Sequence, residues 1–291
     1  MFVRSAAATL SGIVMLLSAP ALAQDPDDEI IVEKRIEIDG AAARVQARDI
    51  TQRQLSDSEP LARFQSPICP GTYGLLEANA QAVIERIYSN AEAAGLEVAV
   101  KENCAANVWV IVVDDPATEF EKLEDQSSWM IDGMSKAERN AVKEQAGPVR
   151  AWNVTSTRDD NGVRIQTGFG QPPPTVQTYR MSRLHVPIRR DIDGAVVMVA
   201  RSALADVDAF TLADYATMRA LARTKEPHEQ GSFDTVLTIF GDDRRADRLT
   251  TFDRAYLRSL YLSSAHRPGR MAMASLTKLM EEELNAGQTE D

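Results

Sequence analysis

Ser275 and Lys278 stand three residues apart in Ala274-Ser275-Leu276-Thr277-Lys278-Leu279-Met280. On a helix that spacing puts a hydroxyl and an amine on one face, where the lysine could take the serine proton and free a nucleophilic oxygen. Acyl transfer also needs an oxyanion hole and a second base, and the sequence offers neither beside this pair. The same stretch reads more simply as an amphipathic helix that buries Met273, Leu276, Leu279, Met280 and Leu284. That packing role is the expectation.

Other chemistry-bearing residues are sparse. The chain has three histidines, His185, His228 and His266, none in an His-Glu-x-x-His helix or another short ligand cluster. His228-Glu229 has Ser232, not histidine, four residues on, and reads as a turn after Pro227. Asp242, Asp243 and Asp247 lack the spacing of a calcium loop. No Gly-x-Ser-x-Gly elbow, phosphate loop or dinucleotide fingerprint occurs, so neither a metal nor another cofactor is expected.

The two cysteines, Cys69 and Cys104, are expected to form a disulfide, because the chain carries an export signal. Arg4 precedes an apolar stretch over 6–17, and Pro20 precedes Ala21-Leu22-Ala23, the small-x-small pattern of a signal-peptidase site. Residues 1–23 thus read as a signal peptide, with the product periplasmic or secreted. The stretch is too short to span a bilayer, and no later run is long enough, so no integral membrane span is expected after cleavage. The formal net charge is −11, and loss of Arg4 makes it −12. That balance argues against a nucleic-acid partner, which clustered Lys and Arg would serve.

Residues 24–60 are polar and read as a flexible leader, with one edge strand near 30–38. A single α+β domain is expected over 61–291, with sub-lobes at 61–205 and 206–291. Pro67 to Gly71 reads as a turn and 75–94 as a helix, with Leu76, Ala80, Val83, Ile84, Ile87 and Ala91 on one face. Strands are expected at 96–100 and at Val108–Val113, whose β-branched run suits burial on both faces. The disulfide would pin the helix start beside that sheet. Helical pattern covers 117–147, then a strand at 149–155 and a turn at Asn161-Gly162. Pro172 to Pro174 reads as an exposed loop. A hairpin is expected over 185–201, turning at Asp193-Gly194, followed by helices at 211–223 (capped by Thr211, with Asp214 in its first turn), 250–261 and 271–285.

Two resemblances bear on these residues. The Ser275 motif is similar to the Ser-x-x-Lys box of serine penicillin-binding proteins, but there the box lies near the start of a long domain, and here only residues 279–291 follow. The run 235–243, then 249–253, 257–261 and Arg267-Pro268-Gly269, with the stretch 104–116, resembles an exported Gram-negative bacterial family of unknown function with a zincin-like (metalloprotease-like) segment. In those relatives a helix before the Ile-Phe segment carries a His-Glu pair followed by Gln or His. The matching positions here are Ala213, Asp214 and Thr217, and alanine has no donor atom while threonine is a poor zinc ligand. The resemblance implies a degenerate zincin-like scaffold without its metal chemistry.

The sequence therefore predicts an α+β protein, with a helix crossing a mixed sheet and a mainly helical C-terminal part. Its expected role is that of an exported, non-enzymatic protein binding an envelope protein or a peptide. The alternative is an exported hydrolase, either a metal-dependent peptidase or an enzyme acting through Ser275 and Lys278.

Overall fold

The computed structural model describes residues 37–52, 58–99, 104–165, 176, 182–228, 231–242 and 244–288. The expected signal peptide, most of the expected 30–38 strand and the expected Pro172–Pro174 loop lie outside the described residues. The protein is α+β, with a four-stranded mixed sheet and a helical C-terminal part.

β1 (Pro70–Tyr73), β2 (Val108–Val113), β3 (Val149–Asp159) and β4 (Ile188–Ala200) lie in the order β1-β2-β4-β3. β1 and β4 run parallel to β2, and β3 runs antiparallel to β4. Because side chains alternate along a strand, the sheet can serve two cores. Val108, Val110, Val112, Val197 and Val199 face the larger one. There they meet α1 (Gly40–Ile50), α2 (Glu77–Ala93), α5 (Ala209–Leu221), α6 (Thr251–Leu262) and α8 (Leu276–Gln288). On the other face Ile111, Trp152, Val196 and Met198 pack with Phe120 of α3 (Pro116–Asp125), Ile131 and Val142 of α4 (Lys136–Lys143).

Several expectations change. Cys69 and Cys104 are bonded, but they precede two parallel strands, so the staple ties the starts of β1 and β2 rather than a helix start. The Pro70-Gly71 end of the expected turn begins β1, and the described part of the expected 96–100 strand, 96–99, forms an isolated bridge from Val98 to Ile68. Leu76 precedes α2 and is exposed, whereas Val83, Ile87 and Ala91 are buried as expected. The 117–147 pattern is two helices with a 3-10 turn at Trp129–Ile131 between them. Ser135 restarts the second through a capping box with Glu138. The 271–285 pattern also divides, into α7 (Gly269–Ala272) and α8.

The expected hairpin is one continuous strand. β4 runs straight through Asp193-Gly194, and its register against β3 passes from Val154↔Gly194 to Thr155↔Ile192. Asp193 is the extra residue of a β-bulge, so the local turn signal is absorbed as a kink once β3 supplies a partner.

The ordered body also starts earlier than residue 61. Asp39 caps α1 by accepting from the amides of Ala41 and Ala42, and Ala43, Ala47 and Ile50 enter the main core. Alanines at this spacing bury little area each, which is why the segment reads as polar by composition.

The disulfide closes a long loop, with 35 residues of sequence separation. Replacing both cysteines by serine should lower unfolding stability by about 4 kcal/mol on the chain-entropy account. Urea denaturation of the two proteins checks this, and equal midpoints would show that the staple contributes nothing.

Candidate functional site

The positions singled out on α5 lie in the interior. Every residue from Thr211 to Leu221 is buried, as expected of a helix apolar around most of its circumference. The cap is Asp208, whose carboxylate accepts from the Thr211 amide and hydroxyl at 2.8 and 2.9 Å. Thr211 is therefore inside the helix, and Asp214 falls past its first turn. The hydrogen bond from Arg248, above all, holds the Asp208 carboxyl down at about 2.

Asp214 has no accessible surface, yet its carboxylate is fully engaged. Arg86 donates to both oxygens, at 2.7 and 2.9 Å. Asn90 donates at 2.7 Å and the Leu249 amide at 3.0 Å. The same Asn90 amide reaches Thr217 Oγ1 at 3.0 Å, and Thr217 donates to the Ala213 carbonyl at 2.8 Å. Ala213, Asp214 and Thr217 thus floor no cleft. They stitch α5 to α2, and a carboxylate with four donors has no lone pair left for a substrate proton. Arg86 and Asn90, one helical turn apart on α2, belong to no recognisable motif in the sequence. Their signal is a polar pair spaced by four beside the apolar face.

Asp253 is a second buried carboxylate. It accepts from Thr235 Oγ1 at 2.6 Å and from the amides of Val236 and Thr250 at 2.8 and 3.1 Å, closing the capping box of α6. Burial pushes its carboxyl up to about 6, against the pull of these donors.

Ser275 and Lys278 do not form a couple. Ser275 Oγ lies 3.0 Å from Ser259 Oγ, between α6 and α8. The Lys278 side chain is 80 % exposed, and its ammonium sits 3.5 Å from Glu282. Leu276, Leu279 and Met280 are buried, as the packing reading requires.

Chain reversals bring together what the sequence keeps apart. Asp160 sits in the turn after β3, where Asp159 Oδ1 accepts from the amides of Asn161 and Val163 and Gly162 takes a positive φ of 80°. That is the Asn161-Gly162 turn expected from sequence. His185 closes a short bridge with Ser182 just before β4. His266 lies between α6 and α7, fixed by the Val186 amide donating to its carbonyl at 2.8 Å. His185 Nε2 is 3.1 Å and His266 Nδ1 is 3.3 Å from the same oxygen, Asp160 Oδ1. The two imidazoles stack with centroids 4.8 Å apart, and His266 Nδ1 is also 3.2 Å from the Ile188 carbonyl oxygen. All three side chains are partly exposed. His228 is elsewhere, its amide held by Asp49.

A different surface lies at the β1 edge. Tyr73 is 67 % exposed and pairs in register with Ile111, so it stands on the same sheet face as Trp109. Trp109 lies across Gly71, where a methyl group would come within 3.1 Å of its ring. Trp129, 64 % exposed, meets Trp109 edge-on with centroids 6.3 Å apart. Leu76, just beyond β1, is also exposed.

No protein-family model, curated protein or solved structure matches this chain. Among the described residues, no helix is long and apolar enough to cross a membrane.

Two measurements test the buried carboxylates. Asp214→Ala should cost about 3–5 kcal/mol in denaturant unfolding, because it leaves the Arg86 charge and the Asn90 amide without their acceptor. The Asp253 carboxyl, raised from 3.8 to about 6, stabilises the fold below pH 3.8. That contribution, about 3 kcal/mol, is lost as pH rises through 6, since only the unfolded chain ionises freely in between. The stability difference between wild type and Asp253→Asn should therefore shrink from pH 4 to pH 7. A constant difference would remove this assignment.

Proposed function

We propose that this is an exported protein that recognises another envelope protein through the aromatic edge formed by Tyr73, Trp109 and Trp129. The reading rests above all on the exposure of Tyr73 and Trp129 beside the edge strand β1. Large aromatic side chains supply contact area at low entropic cost and are enriched where proteins meet. Among the described residues β1 is an edge strand of the sheet, a position at which an extended partner segment can add. Export is supported by the signal-peptide pattern of residues 1–23 and is compatible with the Cys69–Cys104 disulfide.

The peptidase alternative loses support from the packing of α5. The positions that the zincin-like resemblance assigns to metal chemistry are Ala213, Asp214 and Thr217, and all three are sealed in the α2–α5 contact. The resemblance, if it reflects descent, describes a scaffold whose former site has become core.

Photo-crosslinking in intact cells tests the proposal. Benzoylphenylalanine at position 73 or 129 should give one discrete adduct with another envelope protein. The same probe at Val45, exposed on α1 in the layer across the sheet, should not. Trp129→Ala should weaken the adduct formed from position 73 by at least several-fold without changing thermal stability. Adducts of twice the protein's own mass would instead make this edge a self-association surface and overturn the reading, as would equal labelling from position 45.

A further inference from the structure

We propose that Asp160, His185 and His266 form a binding site for one divalent transition-metal ion of the zinc class. The partner-binding reading above does not require such a site, and this proposal stands independently of it.

The donor set is two imidazole nitrogens and a carboxylate oxygen, which together suit zinc and its first-row neighbours. Their spacing fits an ion. Ligands held at ~2.0 Å around a tetrahedral centre lie roughly 3.3 Å from one another. Asp160 Oδ1 is 3.1 Å from His185 Nε2 and 3.3 Å from His266 Nδ1, and all three donor atoms fall within 4.8 Å of one another. The Ile188 carbonyl, 3.2 Å from His266 Nδ1, stands at the same ligand-to-ligand spacing and offers a further oxygen. The side chains are 15–26 % exposed, so solvent reaches the cluster and an ion has a route in.

The origin of the three residues adds weight. Two of only three histidines in 291 residues meet at one carboxylate. They come from separate chain reversals, and each backbone is independently fixed: the 159–163 turn, the Ser182–His185 bridge and the Val186–His266 hydrogen bond. Fixed backbone around the donors lowers the ordering cost of coordination. The chemistry also selects the metal. Two imidazoles disfavour calcium and magnesium, which take oxygen ligands. Both cysteines are in the disulfide, so no thiolate is present to favour copper(I).

Without a metal the same contacts could persist as hydrogen bonds from two imidazole N–H groups to one carboxylate. Binding measurements separate the two cases. Untagged mature protein, stripped with chelator, should take up one equivalent of Zn²⁺ in calorimetry and native mass spectrometry. Excess Ca²⁺ or Mg²⁺ should not displace it. Co²⁺ in place of Zn²⁺ should give the visible absorption of a four-coordinate ion. His185→Gln and His266→Gln keep a polar side chain in place, and each should weaken Zn²⁺ binding by more than the ~10–100-fold typical of losing an outer partner of a ligand. His228→Gln should bind as wild type does. Metal-free circular dichroism should be unchanged in all three variants. Substoichiometric or multi-site weak uptake would overturn the site. So would full uptake by either cluster variant, whatever its fold.

Discussion

The contact between α2 and α5 depends on one carboxylate. Asp214, without accessible surface, is held by Arg86, Asn90 and the Leu249 amide, and Asn90 extends the chain of bonds to Thr217. A buried charge is tolerable only when its donors are all in place, so this set of partners admits one register of α2 against α5. Those helices cover the larger face of the sheet, and the Leu249 amide ties the approach to α6 into the same point. Apolar burial supplies most of the driving force, but it is indifferent to small sliding motions. The Asp214 network is not. It turns a merely adhesive helix pair into a positioned one, and the disulfide does the same for the starts of β1 and β2.

Where local signals and tertiary demand agree, the sequence is readable. The β-branched run Val108–Val113 is a central strand because both its faces meet cores. The face of Val83, Ile87 and Ala91 lies inward as its spacing predicts. Asp193-Gly194 shows the opposite case. Taken alone it favours a reversal, yet pairing β4 with β3 on one side and β2 on the other outweighs one local preference, leaving a bulge. α1 is obscure for another reason, since its buried face is mostly alanine and depends on the helices it meets. The Asp160 cluster has no sequence signal at all, because its members are 25 and 81 residues apart and share no element.

Helix interiors in this protein are used for cohesion: Asp214 and Asp253 both accept from several donors and neither meets solvent. The partly exposed Asp160, His185 and His266 side chains lie instead on chain reversals, as is usual where a rigid frame presents polar side chains on loops. Tyr73 and Trp129 follow the same division, lying at a strand edge and on a 3-10 turn.

Loops hold geometry only if their base does, and the base here is a lattice of arginines and aspartates at the bulged end of β3 and β4. Arg158 meets Asp191 at 3.0 Å and Asp193 at 3.2 Å, and also donates to the Gly162 carbonyl in the turn that carries Asp160. Arg189 pairs with Asp191 from the same strand. Burial pushes the Asp191 carboxyl up, while the two guanidinium groups pull it back toward ionisation. The bulge itself is part of the arrangement. Bringing Asp193 out of register aims it at Ser156 and Arg158, so the residue that looks like a hairpin turn becomes an anchor for the turn beyond. The stiffness of the Asp160 turn is thus a consequence of the same pairing that keeps β4 continuous.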